Sequence, residues 1–378
     1  MKLSAASADA AQSLASRSAD DPATNLDELV SLLDFEPAAQ RHMSHSSWEY
    51  FSSGVADEIT LRWNREAYDR LRLRPRVLVD VSSIDTRVSL LGQELPHPVL
   101  LAPAADQRMV HPEGEVATAQ GAGGAGTIFV LSSFTNTAVE EVARNASGPL
   151  WFQLYVQRDR GFTRDVVQRA EAAGCKAVCV TVDSPTFGPR NRQARAKYEL
   201  APGLSRPHLP PPAKGNVGRG GLQVFPDWVE PALTWRDIGW ISSICKIPVL
   251  IKGVLNPDDA DRAAKEGTAG IIVSNHGARN LDTVPATVDA LPQVADRVAG
   301  RIPVLVDGGI RRGTDVVKAL ALGANAVLIG RPYLYGLAIG GCDGVQRVIE
   351  ILRNELEMTM GLLGHTSIQA IDRSAIWS

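Results

Sequence analysis

From Pro98 onward, short runs of branched apolar residues alternate with longer amphipathic or Ala-rich stretches, and this alternation restricts the fold more than any other feature. A strand covered on both faces reads as an unbroken apolar run. A helix-length segment between two such runs makes a βα unit of a parallel sheet. Eight runs are present, at 99–101, 128–131, 151–155, 177–182, 249–251, 270–273, 304–306 and 326–329. The stretches 113–125, 161–173, 257–266 and 312–322 read as helices, each ending close to a Gly, as a helix C-terminus prefers. Eight such units close on themselves, so the prediction is an α/β chain whose residues 98–378 form a (β/α)8 TIM barrel.

The remaining segments read as attachments to that barrel. Residues 1–24, rich in Ala, Ser and Asp, read as a mobile tail, since they lack a basic start leading into an apolar core. Residues 25–97 read as an N-terminal helical collar, with helices over 25–40, 41–51 and 58–73, followed by a small hairpin pairing 77–79 with 88–91. After the fourth run the rhythm breaks. The stretch at about 184–234 contains Pro207-His208-Leu209-Pro210-Pro211-Pro212 and Gly218-Arg219-Gly220-Gly221, and a connection this long in a compact domain is read as a lid loop.

Composition narrows the partners. Lys and Arg number 39 against 42 Asp and Glu, a net charge of −3, with no long run of one sign, which argues against nucleic acid or an anionic membrane surface. No stretch approaches the roughly 18 consecutive apolar residues of a spanning helix. The four cysteines, Cys175, Cys179, Cys245 and Cys342, form no metal-ligand spacing, and no metal is expected. They read as free thiols of a reducing cytoplasm.

In a TIM barrel the chemistry sits where strands end, so polar and special residues should gather there. The ends supply Pro103-Ala104-Ala105, Ser132-Ser133, Gln153 and Tyr155, Thr181 and Asp183, Lys252, Ser274 and His276, Asp307-Gly308-Gly309 with Arg311, and Gly330-Arg331. The last two groups open onto helices, so backbone N–H groups and guanidiniums can surround a phosphate between the seventh and eighth strands. A phosphorylated ligand is expected there. His276 stands on a turn that Gly277 loosens; Asp183 can orient its ring, and Arg279 offers a planar fork to a carboxylate. Base, orienter and anchor together suit proton abstraction beside a carboxylate. Lys252 can stabilise negative charge developing on a cofactor.

With these residues in view the chain resembles the FMN-dependent α-hydroxy-acid oxidases and dehydrogenases, which include glycolate oxidase, lactate oxidase and mandelate dehydrogenase. The motifs that carry the resemblance are Tyr50-Phe51-Ser52-Ser53-Gly54, Arg74-Pro75-Arg76-Val77-Leu78, His111-Pro112-Glu113-Gly114-Glu115, Phe152-Gln153-Leu154-Tyr155, Thr181-Val182-Asp183, Lys252-Gly253-Val254, the run 274–282 and the run 307–331. The resemblance implies that His276 is the active-site base and Asp183 its partner, that Tyr50 and Arg279 bind the substrate carboxylate, and that Tyr155 and Arg190 line the substrate side. It implies flavin contacts from Ala104, Ser132, Gln153, Thr181, Lys252 and Ser274, and places Asp307, Gly309, Arg311, Gly330 and Arg331 on the ribityl chain and phosphate.

The implied reaction is oxidation of an L-2-hydroxy acid to the 2-oxo acid by FMN. Phe134 and Phe187 stand at pocket-lining positions and suggest room for a small or medium aliphatic group. Ala105 matches the oxidases, a Gly there being associated with monooxygenase behaviour, so O2 is the expected acceptor with H2O2 released, and a quinone- or carrier-linked dehydrogenase or a lactate 2-monooxygenase is the alternative. The family also implies a homo-oligomer, tetramer or octamer. Three places depart from its pattern: Asp106 replaces an apolar residue, which bears on pocket polarity, Asn280 replaces a Gln, and Pro189 with Asn191-Arg192-Gln193 replaces a charged pattern, which bears on Arg190. Asp282 is read as structural.

Overall fold

The computed structural model describes residues 25–210 and 229–377; the tail at 1–24 and part of the expected lid, 211–228, lie outside them. The chain opens with a collar of helices α1 (Leu32–His42), α2 (His45–Ser52) and α3 (Ile59–Arg70). Ser31 starts α1 with a capping box, its hydroxyl accepting from the backbone while Asp34 accepts from the Ser31 N–H. Helix α3 has no cap of its own. The carboxylate of Asp282, far along the chain, accepts from the N–H groups of Asp57, Ile59 and Thr60, which confirms Asp282 as structural and ties the collar to the segment after His276.

Strands β1 (Val88–Leu90) and β2 (Gln93–Leu95) form an antiparallel hairpin, with Leu91 and Gly92 in the left-handed region at its turn. This corrects the predicted pairing. Residues 77–79 form no strand, and Val77 and Leu78 lie exposed at 81% and 103%. Two-residue turns with both centres left-handed match the twist of a hairpin, so the nearer partner prevails.

The barrel follows: β3 (Val99–Leu101), α4 (Gly114–Gly124), β4 (Phe129–Ser132), α5 (Val139–Asn145), β5 (Leu150–Leu154), α6 (Arg160–Ala172), β6 (Val178–Thr181), α7 (Asn191–Arg195), α8 (Trp235–Ile244), β7 (Val249–Val254), α9 (Pro257–Lys265), β8 (Gly270–Val273), α10 (Thr287–Val298), β9 (Val304–Asp307), α11 (Gly313–Ala321), β10 (Ala326–Ile329) and α12 (Arg331–Leu363). Strands β3 to β10 pair in parallel in chain order, and β10 closes on β3 through Val327 opposite Val99. All eight runs seen in the sequence are barrel strands. They are buried almost throughout, and each fully buried Leu, Ile, Val or Phe contributes about 1.5–3 kcal/mol relative to exposure.

Helix α12 departs from helical dihedrals at Gly340 and Gly341. The two halves approach so closely there that a Cβ on Gly336 would strike the Gly344 carbonyl. Register then sets the site: Ser132 lies opposite Gln153, and Thr181 opposite Lys252, so polar strand-end residues form one continuous rim.

Candidate active site

Beyond β8 the backbone enters the left-handed region for three residues in succession, His276, Gly277 and Ala278, each at φ +60. A non-Gly residue held there costs of the order of 1–3 kcal/mol, so its surroundings must enforce the conformation. They do so through side chains: Ser274 Oγ accepts from the His276 N–H at 3.0 Å, and Asn275 Oδ1 accepts from the Ala278 N–H at 3.1 Å. Asn275 is itself locked to Asn64 of α3 by two reciprocal amide hydrogen bonds, 2.8 and 3.0 Å.

The turn presents the His276 ring to the mouth. Its Nδ1 lies 2.9 Å from Asp183 Oδ1, and its Nε2 lies 3.3 Å from the Tyr155 hydroxyl. With Nδ1–H donating to the carboxylate, Nε2 carries the lone pair toward the cavity. Asp183 is held in turn by Asn280, which donates to its backbone and side-chain oxygens, and by the Ser184 hydroxyl at 2.9 Å. The sequence offered no role for Asn280; the fold makes it the residue that orients the orienter. Burial pushes the pKa of His276 down, against the opposing pull of Asp183, so the resting imidazole is neutral. Burial pushes Asp183 up, but His276 and Lys252 hold its carboxyl below the ordinary carboxylate value.

Arg279 lies 5.0 Å over the Tyr50 ring and donates from Nη1 to the backbone oxygens of Tyr50 and Ser53. Among the described residues no carboxylate pairs with it, and burial together with the nearby Arg190 lowers its pKa. A half-buried guanidinium hydrogen-bonded only to carbonyls, beside a His, is suited to receive an anion. Arg190 reaches the same corner, donating to the Arg279 carbonyl at 3.3 Å and covering the Phe187 ring.

The other half of the mouth is built for a larger polar molecule. Lys252 Nζ lies 2.8 Å from Ser274 Oγ and 3.1 Å from Asp307 Oδ2. Burial opposes its charge, but Asp307 and Asp183 outweigh that and raise its pKa. Along the rim Ser132 donates to Gln153, and Gln153 donates to Thr181. At β9 and β10 the chain turns through Gly308 and Gly309, both left-handed, and a Cβ on Gly309 would collide with the Asn64 carbonyl. Gly330 faces open space, with Ala102 4.0 Å from where a Cβ would stand. Arg311 lines the same hollow. Arg331 lines it too, although three of its N–H groups hold the carbonyls of Phe51, Ser53 and Gly277.

The His276 ring, Arg279, Lys252 and the strand-end and hollow groups face one cavity of about 460 Å³, which Tyr50, Ala104, Phe134, Tyr155 and Arg190 also line; Asp183 acts from behind through His276, and Ser274 through Lys252 and the His276 N–H. A flavin mononucleotide fits this donor set. Buried Asp307 Oδ1 lacks a hydrogen-bond partner in the structure, as an acceptor awaiting a ribityl hydroxyl would, and the Gly309, Gly330 and Arg311 hollow offers a phosphate cradle. Sequence reasoning missed Gln193 of α7 and Tyr198, Leu200 and Arg206 of the segment after it, which line the same cavity. No periodic signal marks that segment, so nothing in the sequence points it inward.

A closed parallel barrel whose mouth joins a half-buried His–Asp pair, an anion receptor and a nucleotide-sized polar cradle defines a flavin-type oxidoreductase. The chain belongs to the FMN-dependent dehydrogenase family, whose model matches residues 39–378. It is 48% identical to an L-lactate oxidase of Nostoc sp. over 360 residues, which is 93% of this chain and 99% of that protein. It is 45% identical to glycolate oxidase 3 of Oryza sativa subsp. indica, covering 92% of this chain and 96% of that one. A solved structure of mandelate oxidase superposes with a TM-score of 0.85 at 37% identity, covering 92% and 98% of the two chains.

Proposed function

We propose that the protein oxidises a small L-2-hydroxy acid to the 2-oxo acid, using FMN and then O2, with release of H2O2. The observation that carries this reading is the placement of an unpaired guanidinium, Arg279, on the same cavity as the lone pair of His276 Nε2. Arg279 and Tyr50 bind the substrate carboxylate, and that anchor sets the hydroxyl-bearing carbon before the base. His276 accepts a proton at Nε2, and the Asp183 carboxylate stabilises the imidazolium that forms. Tyr155, within hydrogen-bond reach of Nε2, and Arg190 complete the substrate side. Ala104, Ser132, Gln153, Thr181, Ser274 and Lys252 would hold or support the flavin ring, and Asp307, Gly309, Arg311, Gly330 and Arg331 its ribityl phosphate. Bound FMN supplies the two-electron acceptor, and O2 carries those electrons and the two substrate protons away as H2O2. Phe134 and Phe187 leave space for a small or medium aliphatic group.

Oxygen as acceptor is supported by the likeness to proteins named as oxidases. The deciding experiment is a panel of 2-hydroxy acids under air, following flavin bleaching and peroxide together. Peroxide equal to substrate consumed is expected, and bleaching without peroxide would instead identify a carrier-linked dehydrogenase. Among the described residues no helix is long and apolar enough to cross a membrane. A cytoplasmic location is supported by four free cysteines, with burial pushing the thiols of Cys175 and Cys179 up to about 12. A homo-oligomer is supported by the exposed Val77, Leu78 and Leu362, and light scattering will give its size.

A further inference from the structure

Asp106 departs from the sequence pattern of the family, and the structure shows where its charge goes. The residue is fully buried and left-handed at φ +53, behind the wall of the cavity rather than on it. Arg206 grips it with a two-pronged ion pair, Nε to Oδ1 at 2.8 Å and Nη2 to Oδ2 at 2.5 Å. The Tyr198 hydroxyl donates to Oδ2 at 3.1 Å, and the Asn136 amide donates to Oδ1 at 3.2 Å. These partners form the outer wall of the substrate side. Arg206 lies 5.1 Å over the Phe134 ring, and Tyr198 stacks on Tyr50 with centroids 4.0 Å apart.

On the substrate side of the mouth stand three of the cavity's guanidiniums: Arg279 is the carboxylate anchor, Arg190 is turned onto the Arg279 carbonyl and Asn280 Oδ1, and Arg206 is neutralised by a buried carboxylate. A lone guanidinium on a pocket wall attracts a second anion, whereas one whose fork is filled by a carboxylate does not. Building on the proposed 2-hydroxy-acid chemistry, we propose that Asp106 is a specificity-determining residue: by neutralising Arg206 it restricts the enzyme to 2-hydroxy acids whose side chain carries no second negative charge.

The test compares lactate, with an uncharged side chain, and malate, a 2-hydroxy dicarboxylate, in the flavin-loaded enzyme. Asp106→Asn keeps the size of the side chain and one acceptor oxygen, but its NH2 cannot accept from Arg206 or Tyr198 and the Arg206 charge is unmasked. The malate-to-lactate ratio of kcat/KM is expected to rise at least ~10-fold, the scale of one unscreened charge pair. The double variant Asp106→Asn with Arg206→Gln should return the ratio to within about 3-fold of the parent, because the wall is neutral again. A ratio that stays unmoved in Asp106→Asn, with flavin still bound, overturns the proposal. A measurement without any variant guards against misfolding: the parent enzyme should prefer the 4-methyl ester of malate over malate by at least ~10-fold, since only the ester presents an uncharged side chain. Equal use of the two overturns the proposal. Turnover of lactate with either failure leaves the 2-hydroxy-acid reading standing; no turnover of any 2-hydroxy acid removes both.

Discussion

At the scale of single residues, the proposed mechanism divides proton transfer between His276 as the base and Asp183 as the group that orients it. Replacing His276 with Ala should leave flavin absorbance intact while kcat falls by at least ~10²-fold, the low end for a positioned base; steady-state turnover of the loaded enzyme checks this. The pH profile follows from the direction of the His276 shift. Burial lowers its pKa, so the base is neutral, and activity present, above a value that lies under the ordinary His value of about 6.5. Activity is lost as pH falls through that lowered value. Asp183 opposes the shift by raising the pKa of His276. Asp183→Asn should therefore move the acid limb of kcat/KM to still lower pH while kcat falls, because the imidazolium loses its counter-charge. A limb that moved upward would contradict the assigned pairing.

At the scale of elements, the segment between β6 and α8 shows how a loop without periodicity is held. Two buried contacts pin its described part: Arg206 on Asp106, and His208, whose Nε2 accepts from the Val139 N–H at the start of α5 at 3.2 Å. Gln157 adds a hydrogen bond to the His208 carbonyl. Burial pushes His208 down to about 4, so the folded protein keeps it neutral where an unfolded chain would already bind a proton. Its contribution is fully present above about 6.5 and is lost as pH falls toward about 4. The urea midpoint should fall more between pH 7.5 and pH 5 in the parent than in His208→Asn, which cannot titrate. The collar is held in the same long-range manner, through Asp282 capping α3 and Asn64 paired with Asn275. Neither link is visible as a cap or a spacing, since the partners lie more than 200 positions apart.

For the whole molecule, the proposed cradle of Gly309, Arg311 and Asp307 couples cofactor to fold, because these residues meet only when the barrel closes. FMN at 100 times its dissociation constant should add about 2.7 kcal/mol of stability. Stripping the flavin should lower Tm, and adding FMN back should restore both Tm and yellow colour; a colourless protein with unchanged Tm would remove FMN from the site. The sequence by itself determined the strand runs, the barrel and the strand-end residues His276, Asp183, Lys252 and Asp307, because strand burial and the parallel order of βα units are written in local period. It also exposed Asp106 as out of pattern without saying why. Tertiary structure alone decided the hairpin partner of Val88–Leu90, the Asn280 hold on Asp183, and the meeting of Asp106 with Arg206 and Tyr198. Local periodicity reports neighbours two to four residues away, while the Asn280 and Asp106 contacts join positions about 100 apart, so only closure of the chain in space brings them together.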